Sequence, residues 1–279
     1  MTLDMTLDMT QPPQMHSPKE RRVDMTDVLI HLEDAVLTFT LNRGHKKNAF
    51  TQAMYTELAD GLRAAQDNPE VRVVIVQGHE TFFSAGNDIA DFLQAEGFGL
   101  DSPVIDFLLT LSSFKKPVIA SVCGPAVGIG SSLLLHCDLV VAGDNAAFSL
   151  PFVNLGLCPE AASSLLLPQL MGYHRAAQAL LMGEPFMAEA ALEVGWVNQV
   201  VVPSEANVVA KAWALKLAAK PPTAVMQTKA LMKAPQALAV KAVVEQEAMV
   251  FARMLKEGPA KEAFSAFLEH RKPDFTKHG

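Results

Sequence analysis

The sequence predicts an α/β protein, with a largely parallel sheet in its first half and an almost wholly helical second half. Three observations carry this. Short β-branched runs recur at 71–77 (VRVVIVQ), 117–122 (PVIASV) and 138–142 (DLVVA). Stretches with helical spacing of apolar residues alternate with them. From Ala161 onward helical spacing dominates, and the strand-like exception is Val197–Val202.

Taken in order, residues 1–25 repeat an MTLD unit and then turn polar and Pro-containing, which predicts a disordered tail. Residues 27–42 hold two strand-like runs broken at Glu33-Asp34, and the second, AVLTFTL, alternates as a half-buried strand does. Residues 51–67 predict a helix, with Met54, Leu58, Leu62 and Ala65 on one face. The run 71–77 is continuously apolar and ends at Gly78, as a buried strand would. Between the next two strands lies GPAVGIGSSLLLHC, a glycine-rich turn running into a short helix. Thr223–Lys233, Gln236–Leu255 and Pro259–His270 predict three helices separated by Pro or Gly. A boundary near Pro221-Pro222 would divide an α/β core, 26–220, from a helical module, 221–279.

Composition excludes several functions. The chain has 279 residues, 50% of them hydrophobic, enough for a large core. A net charge of -7 gives no basic face for nucleic acid, though a few local Lys or Arg residues would suffice for phosphates. Cys123, Cys137 and Cys158 form no C-x-x-C pair and have no His at a ligand spacing, so reduced thiols are expected and no metal site. No apolar stretch reaches the roughly 18 residues that would span a membrane. The N-terminus lacks the apolar core of a secretory signal. The glycines at 124, 128 and 130 have the wrong spacing for a dinucleotide fingerprint. Ser131, Ser132, Ser163 and Ser164 lack the His–Asp pattern of a hydrolase. His136, late in an apolar helix, reads as a satisfied core residue, and Asp88 and Asp91 as capping residues.

Three segments carry candidate chemistry. In Phe83-Ser-Ala-Gly-Asn-Asp-Ile89, Gly86 permits a tight turn, Asp88 suits a helix N-cap, and the Asn87 N–H is left to point into a pocket. An ordinary strand-to-helix turn reads the same way. Gly124-Pro-Ala-Val-Gly-Ile-Gly130 opens a helix whose first N–H groups are unpaired, so two amides from separate turns could form an oxyanion hole. Close packing through small residues fits equally. In Leu155-Gly-Leu-Cys-Pro-Glu-Ala-Ala-Ser-Ser164, Glu160 is either a first-turn glutamate favoured by the helix dipole or a base in an apolar pocket.

Together these segments resemble the signature blocks of the crotonase, or enoyl-CoA hydratase/isomerase, superfamily. The matching stretches are LNRGHKKNAF (41–50), FSAGNDIADF (83–92), GPAVGIGSSLLLHCDLVVA (124–142), FSLPFVNLGLCPE (148–160) and AFLEHRKPDF (266–275). The resemblance implies a crotonase-like ββα spiral core with a C-terminal helical module. It implies that the N–H groups of Asn87 and Ile129 bind a thioester oxygen. The bent coenzyme A would lie along Lys46, Lys47, Asn48 and Ala49, with its adenine near Phe83, Ser84, Ala85 and Gly86. Asp88, Ile89 and Gly128 belong to the same binding region, and Phe92, Phe152 and Leu155 to the acyl pocket. A neighbour's C-terminal helix would add Phe264, Phe267 and Lys272, in a homotrimer or dimer of trimers. Lys46, Lys47 and Lys272 also read as solvated side chains. Met171 or Met182 could line an acyl tunnel. Coenzyme A is part of the substrate, so no separate cofactor is expected.

The family's hydratases carry two glutamates, at the positions of Ser132 and Phe152 here. Both are absent. Peroxisomal-type Δ3,Δ2-enoyl-CoA isomerases carry one catalytic glutamate in a P-E-x-x-S-S block, and Pro159 to Ser164 is similar to it. The implied activity is conversion of a 3-enoyl-CoA to 2-trans-enoyl-CoA, with Glu160 as the base. Enoyl-CoA hydration, or acyl-CoA binding without catalysis, are the alternatives. The end, Lys277-His278-Gly279, is not a peroxisomal address, and the expected location is cytoplasmic.

Overall fold

A computed structural model describes residues 26–94 and 99–277, apart from the side chains of 92–94. The expected tail, 1–25, lies outside the described residues. β1 (Val28–Glu33) and β2 (Val36–Leu41) form an antiparallel hairpin. Its turn residues Asp34 and Ala35 both have positive φ, 51° and 63°, which matches the twist of the strands. α1 (Gln52–Asp67) is capped by the Thr51 hydroxyl, which accepts from the Met54 amide. There follow β3 (Val73–Gln77), α2 (Ile89–Gln94), α3 (Pro103–Ser113), β4 (Val118–Val122), β5 (Pro125–Val127), α4 (Ile129–Ser132), β6 (Leu139–Gly143) and β7 (Ala147–Ser149). The second half adds α5 (Ser163–Met171), α6 (Tyr173–Ala177), β8 (Phe186–Met187), α7 (Ala188–Glu193), β9 (Gln199–Val201) and α8 (Pro203–Ala218). It closes with α9 (Pro222–Lys233), α10 (Ala237–Met254) and α11 (Gly258–Leu268).

The large sheet has the order β1-β2-β3-β4-β6-β9, parallel except for β1. Both faces are covered at β3, β4 and β6, which explains why these strands read as apolar runs. Val74 and Val76 join the larger core with α1 and α3, while Val73 and Ile75 join a smaller core with α8. α8 meets the sheet through Ala206, Ala210, Ala214 and Ala218, all buried. Small side chains four apart let the helix backbone lie close to the strands. α9 is tied down by Lys229, whose ammonium meets Asp138 at 2.6 Å and the Lys116 carbonyl at 2.7 Å.

A second layer crosses behind the first. β5, β7 and β8 form a small sheet, and isolated parallel bridges extend it at Ser84–Ala126 and Phe50–Asn87. The chain thus repeats one pattern: a strand in the large sheet, a short extended step in the second layer, then a helix. This is the ββα spiral. The second-layer strands have two or three residues each, too few to show a period, so no alternation or apolar run marks them.

Gly124 makes the step from the first layer to the second. It sits at φ +63°, and a Cβ there would fall 2.0 Å from the Thr81 carbonyl oxygen, inside the repulsive wall of any contact. Gly124→Ala is expected to destabilise the chain by about 3 kcal/mol or more. Urea unfolding at neutral pH measures this, and a midpoint equal to the parent's would contradict it.

Candidate active site

Backbone hydrogen bonds zip three distant segments together. Lys47 and Asn48 both adopt left-handed φ, which turns the chain toward the second segment. There the Ala85 amide donates to the Lys47 carbonyl at 2.9 Å, and the Phe50 amide to the Gly86 carbonyl at 2.8 Å. Asn48 Nδ2 donates to the Phe83 carbonyl, and the Ser84 hydroxyl to the Asn48 carbonyl. The third segment joins through the Val127 amide on the Ser84 carbonyl, at 2.9 Å. Gly86 allows this approach, since its missing Cβ would lie 3.1 Å from the Val127 carbonyl oxygen.

The zip spends nearly every amide along these turns. Gly86 N donates to the Ser84 hydroxyl, Asp88 N to the Phe50 carbonyl, and Gly128 N to the Ser149 carbonyl. The amides of Asn87 and Ile129 donate to no described residue. Ile129 opens α4, so its N–H has no helical partner. The Asn87 side chain is fixed as well, because the buried Tyr55 hydroxyl donates to its Oδ1 at 2.5 Å.

Glu160 lies in the turn before α5, not in the first helical turn that the ordinary reading assumed; α5 begins at Ser163. The turn is held by the Ser163 amide and hydroxyl, both donating to the Glu160 carbonyl. The Glu160 side chain is 3% exposed. One oxygen, Oε1, accepts from the Ser132 hydroxyl at 3.3 Å. The other, Oε2, is buried and has no partner among the described residues. Burial is the main force raising its pKa to about 8, helped by the charge of Glu247 and opposed by the Ser132 hydrogen bond. α4 therefore carries the free Ile129 amide at its start and, one turn on, the hydroxyl that touches Glu160. A helical turn spans about 5 Å, so α4 sets the Ile129 amide and the hydroxyl that touches Glu160 within about one turn of each other.

The imidazole, phenol and thiol groups around Glu160 are neutral. Burial pushes the His136 imidazole down to about 4, and its Nε2 meets the Ala161 carbonyl at 2.9 Å as a donor. His136 is thus the satisfied core residue expected of it. Burial first, then the Glu160 charge, holds the Tyr55 hydroxyl well above its usual range. The three cysteines are free thiols.

The remaining expected site residues fall into groups. Lys46, Lys47 and Ala85 are exposed at the zip, Asn48 and Ala49 are buried beneath it, and Ile89 and Gly128 are half-buried beside it. Phe152 is buried with its ring 6.3 Å from that of Phe251, and Leu155 is half-buried nearby. Phe92 lies on α2, but its side chain is outside the described residues. Four expectations need correction. Phe83 and Ser84 are fully buried and their polar groups bond inside the chain, so their side chains shape the loop and do not reach its surface. The Asp88 carboxylate is likewise committed, to Arg43 at 2.8 Å and to the Ala90 and Asp91 amides as a helix cap. Phe264 is packed into its own chain's core, so it cannot reach into a neighbour's pocket; Phe267 and Lys272 are exposed. Met182, at 56% exposure, lines no tunnel, whereas Met171 is half-buried.

Sequence reasoning missed Tyr55 and Glu247. Both had a signal: a polar group on a helix face whose other residues are apolar. Tyr55 stands beside Met54, and Glu247 among Val244, Ala248 and Phe251. Among the described residues no three His, Cys, Asp or Glu side chains gather to hold a metal. No described helix is long and apolar enough to cross a membrane.

Comparison with known proteins agrees with this arrangement. The family described as Enoyl-CoA hydratase/isomerase matches residues 31–278. The chain is 34% identical over 256 residues to 2,3-dehydroadipyl-CoA hydratase of Escherichia coli, covering 90% of this chain and 99% of that one. It is 35% identical over 240 residues to enoyl-CoA delta isomerase 2 of Rattus norvegicus, covering 82% of this chain and 60% of the rat protein. The solved structure of Pseudomonas aeruginosa OdaA superposes with a TM-score of 0.85 at 44% identity, over 87% of this chain and 98% of that one.

The raised pKa of Glu160 has a consequence for stability. The folded chain keeps a proton that the unfolded chain releases. The folded state is therefore favoured most below the ordinary carboxyl value of 4.5, and that stability drains away as pH rises to about 8. Glu160→Gln removes the effect. Unfolding free energies of variant and parent should diverge from about pH 5 to about pH 8, in the variant's favour. Parallel curves would mean that Glu160 is not a neutral buried acid.

Proposed function

The chain belongs to the enoyl-CoA hydratase/isomerase family, and from that premise we propose that it moves the double bond of a 3-enoyl-CoA into conjugation, giving 2-trans-enoyl-CoA. The observation that carries the proposal is Glu160: one buried carboxyl of raised proton affinity, with one oxygen unpartnered. In the proposed reaction the thioester oxygen accepts from the Asn87 and Ile129 amides. Glu160, as carboxylate, takes a proton from C2. The electron pair spreads over the thioester oxygen, C2 and C4 as a dienolate, and each amide donor is worth about 3–4 kcal/mol to that charge. Glu160 then delivers the same proton to C4. A single carboxylate suffices because the proton leaves and returns on one face.

The positions of the family's hydratase glutamates support isomerisation over hydration. Ser132 donates a hydrogen bond to Glu160 and has no basicity of its own at neutral pH. Phe152, packed against Phe251, keeps water from the other position. Glu247 is no substitute, since both its oxygens already accept hydrogen bonds. Exposed Lys46 and Lys47 suit the phosphates of coenzyme A. Free cysteines suit a reducing, cytoplasmic setting.

We also propose that the chain assembles as a trimer or a dimer of trimers. Leu231, Met232 and Leu238 on α9 and α10 are 73%, 72% and 86% exposed, an apolar face that a second copy would cover. Sedimentation should give three or six times the 30.1 kDa chain mass; a monomer at micromolar concentration would refute this.

The activity test sets isomerisation of 3-hexenoyl-CoA against hydration of crotonyl-CoA on one preparation. Isomerisation should dominate. Glu160→Gln should lower its kcat about a thousandfold while leaving the thioester bound. The base works only when deprotonated, so the parent's kcat/KM should climb with pH up to about 8. A parent that hydrates faster than it isomerises would move the chain to the hydratases, and a fully active Gln variant would remove Glu160 from the chemistry.

A further inference from the structure

α10 turns one acidic side chain inward. Glu247 is 7% exposed and stands on the face that carries Val244, Ala248 and Phe251. Its Oε2 accepts from the Ala162 amide at 2.6 Å. Its Oε1 accepts from the Ser164 amide at 3.0 Å and from the Ser164 hydroxyl at 2.5 Å. Three donors on two oxygens are the partners of a carboxylate, because a protonated acid would need an acceptor for its own O–H.

The residues it holds are unusual. Ala161 and Ala162 lie at φ +60° and +56°, two consecutive left-handed residues without a glycine. Each such conformation costs about 1 kcal/mol or more, so surrounding contacts must impose it. Glu247 does so from the Ala162 and Ser164 side, and His136 from the Ala161 carbonyl. This turn follows Glu160 directly, so its shape decides where the Glu160 carboxyl points.

Resting on the isomerase reading of Glu160, we propose that Glu247 is a positioning residue for that base: it holds the turn that aims Glu160 and keeps a second negative charge behind it. The groups around Glu160 are the Tyr55 hydroxyl from α1, the Ser132 hydroxyl from α4, the His136 imidazole from the turn after α4, the Cys158 thiol from its own segment and Glu247 from α10. Tyr55, His136 and Cys158 are all held neutral by burial; burial raises the Glu247 carboxyl too, but the Ser164 and Ala162 donors oppose it, so Glu247 is the member of this set whose hydrogen bonds favour the charged form. α3 packs on α10 as well, but its Asp106 is turned to Arg63 at the surface. Removing the Glu247 charge therefore makes Glu160 release its proton at lower pH.

The test compares full-length parent, Glu247→Gln and Glu247→Asp in the 3-hexenoyl-CoA assay across pH, with Glu160→Gln beside them. Glutamine keeps the shape and loses the charge. Its kcat should drop about tenfold or more with KM within about twofold, and its acid limb should move to lower pH. Aspartate keeps the charge and shortens the reach, so its limb should stay while its kcat falls. A role in folding alone would lower the amount of active protein and leave the limb in place. A Gln variant with the parental limb overturns the proposal. If the Gln variant does not fold, Glu247→Asp decides, with kcat taken per folded molecule: parental kcat overturns the proposal, and reduced kcat at the parental limb supports it. Loss of the isomerase reading is recognised separately, by an active Glu160→Gln.

Discussion

The site rests on keeping one carboxyl out of water. An ionised carboxylate in an apolar pocket loses its hydration, and only nearby donors can return part of that loss. At Glu160 the return is small: one hydroxyl, at 3.3 Å, on one of two oxygens. The carboxyl responds by holding its proton to about pH 8. A group that gives and takes protons near neutrality is what a proton shuttle requires. It follows mainly from burial, so everything that excludes water from position 160 belongs to the chemistry proposed for it.

The fold supplies that exclusion as a by-product of its repeat. Each ββα step drops a short extended piece into the second layer, and neighbouring pieces pair in parallel. Phe50 meets Asn87, Ser84 meets Ala126, and β5 meets β7. Pairing leaves amides over where a piece ends and the next helix begins. Asn87 and Ile129 are two such ends. The oxyanion site proposed above would need no special side chain, because backbone topology would define it. The cost falls on the turns, which must pass through left-handed φ at Lys47, Asn48, Gly86 and Gly128.

This division explains what could be read from the amino acids. The large-sheet strands were legible because burial on both faces leaves continuous β-branched runs. α1 was legible from Met54, Leu58, Leu62 and Ala65, all of which are buried. The second layer was not, since three residues carry no period. Of the site, the motifs indicated the two free amides and Glu160, whereas the fixing contacts were hidden. Ser132 was noticed for the carboxylate it lacks, not for the hydroxyl it gives to Glu160. Asp88, Phe83 and Ser84 stand in the right motif, yet their polar groups are consumed within the loop. Glu247 lies 87 positions after Glu160, and no local pattern joins residues that far apart.

Ser132 and Glu247 then act on Glu160 in opposite directions. The hydroxyl stabilises its charged form, and the second carboxylate disfavours it. A weaker base would be ionised more often at neutral pH but would pull less on a C2 proton, which a thioester holds tightly. A stronger base pulls harder and is ready less often. At pH 7 a carboxyl titrating at about 8 is ionised about one time in ten, a cost of about 1.4 kcal/mol. The two donors proposed for the oxyanion, at about 3–4 kcal/mol each, would exceed that cost several times over. The site can therefore tolerate a base that is mostly protonated at rest, provided the amides are already in place when the thioester arrives. Rigid backbone pairing at Asn87 and Ile129 meets that condition, and it makes the strained turn behind Glu160 affordable.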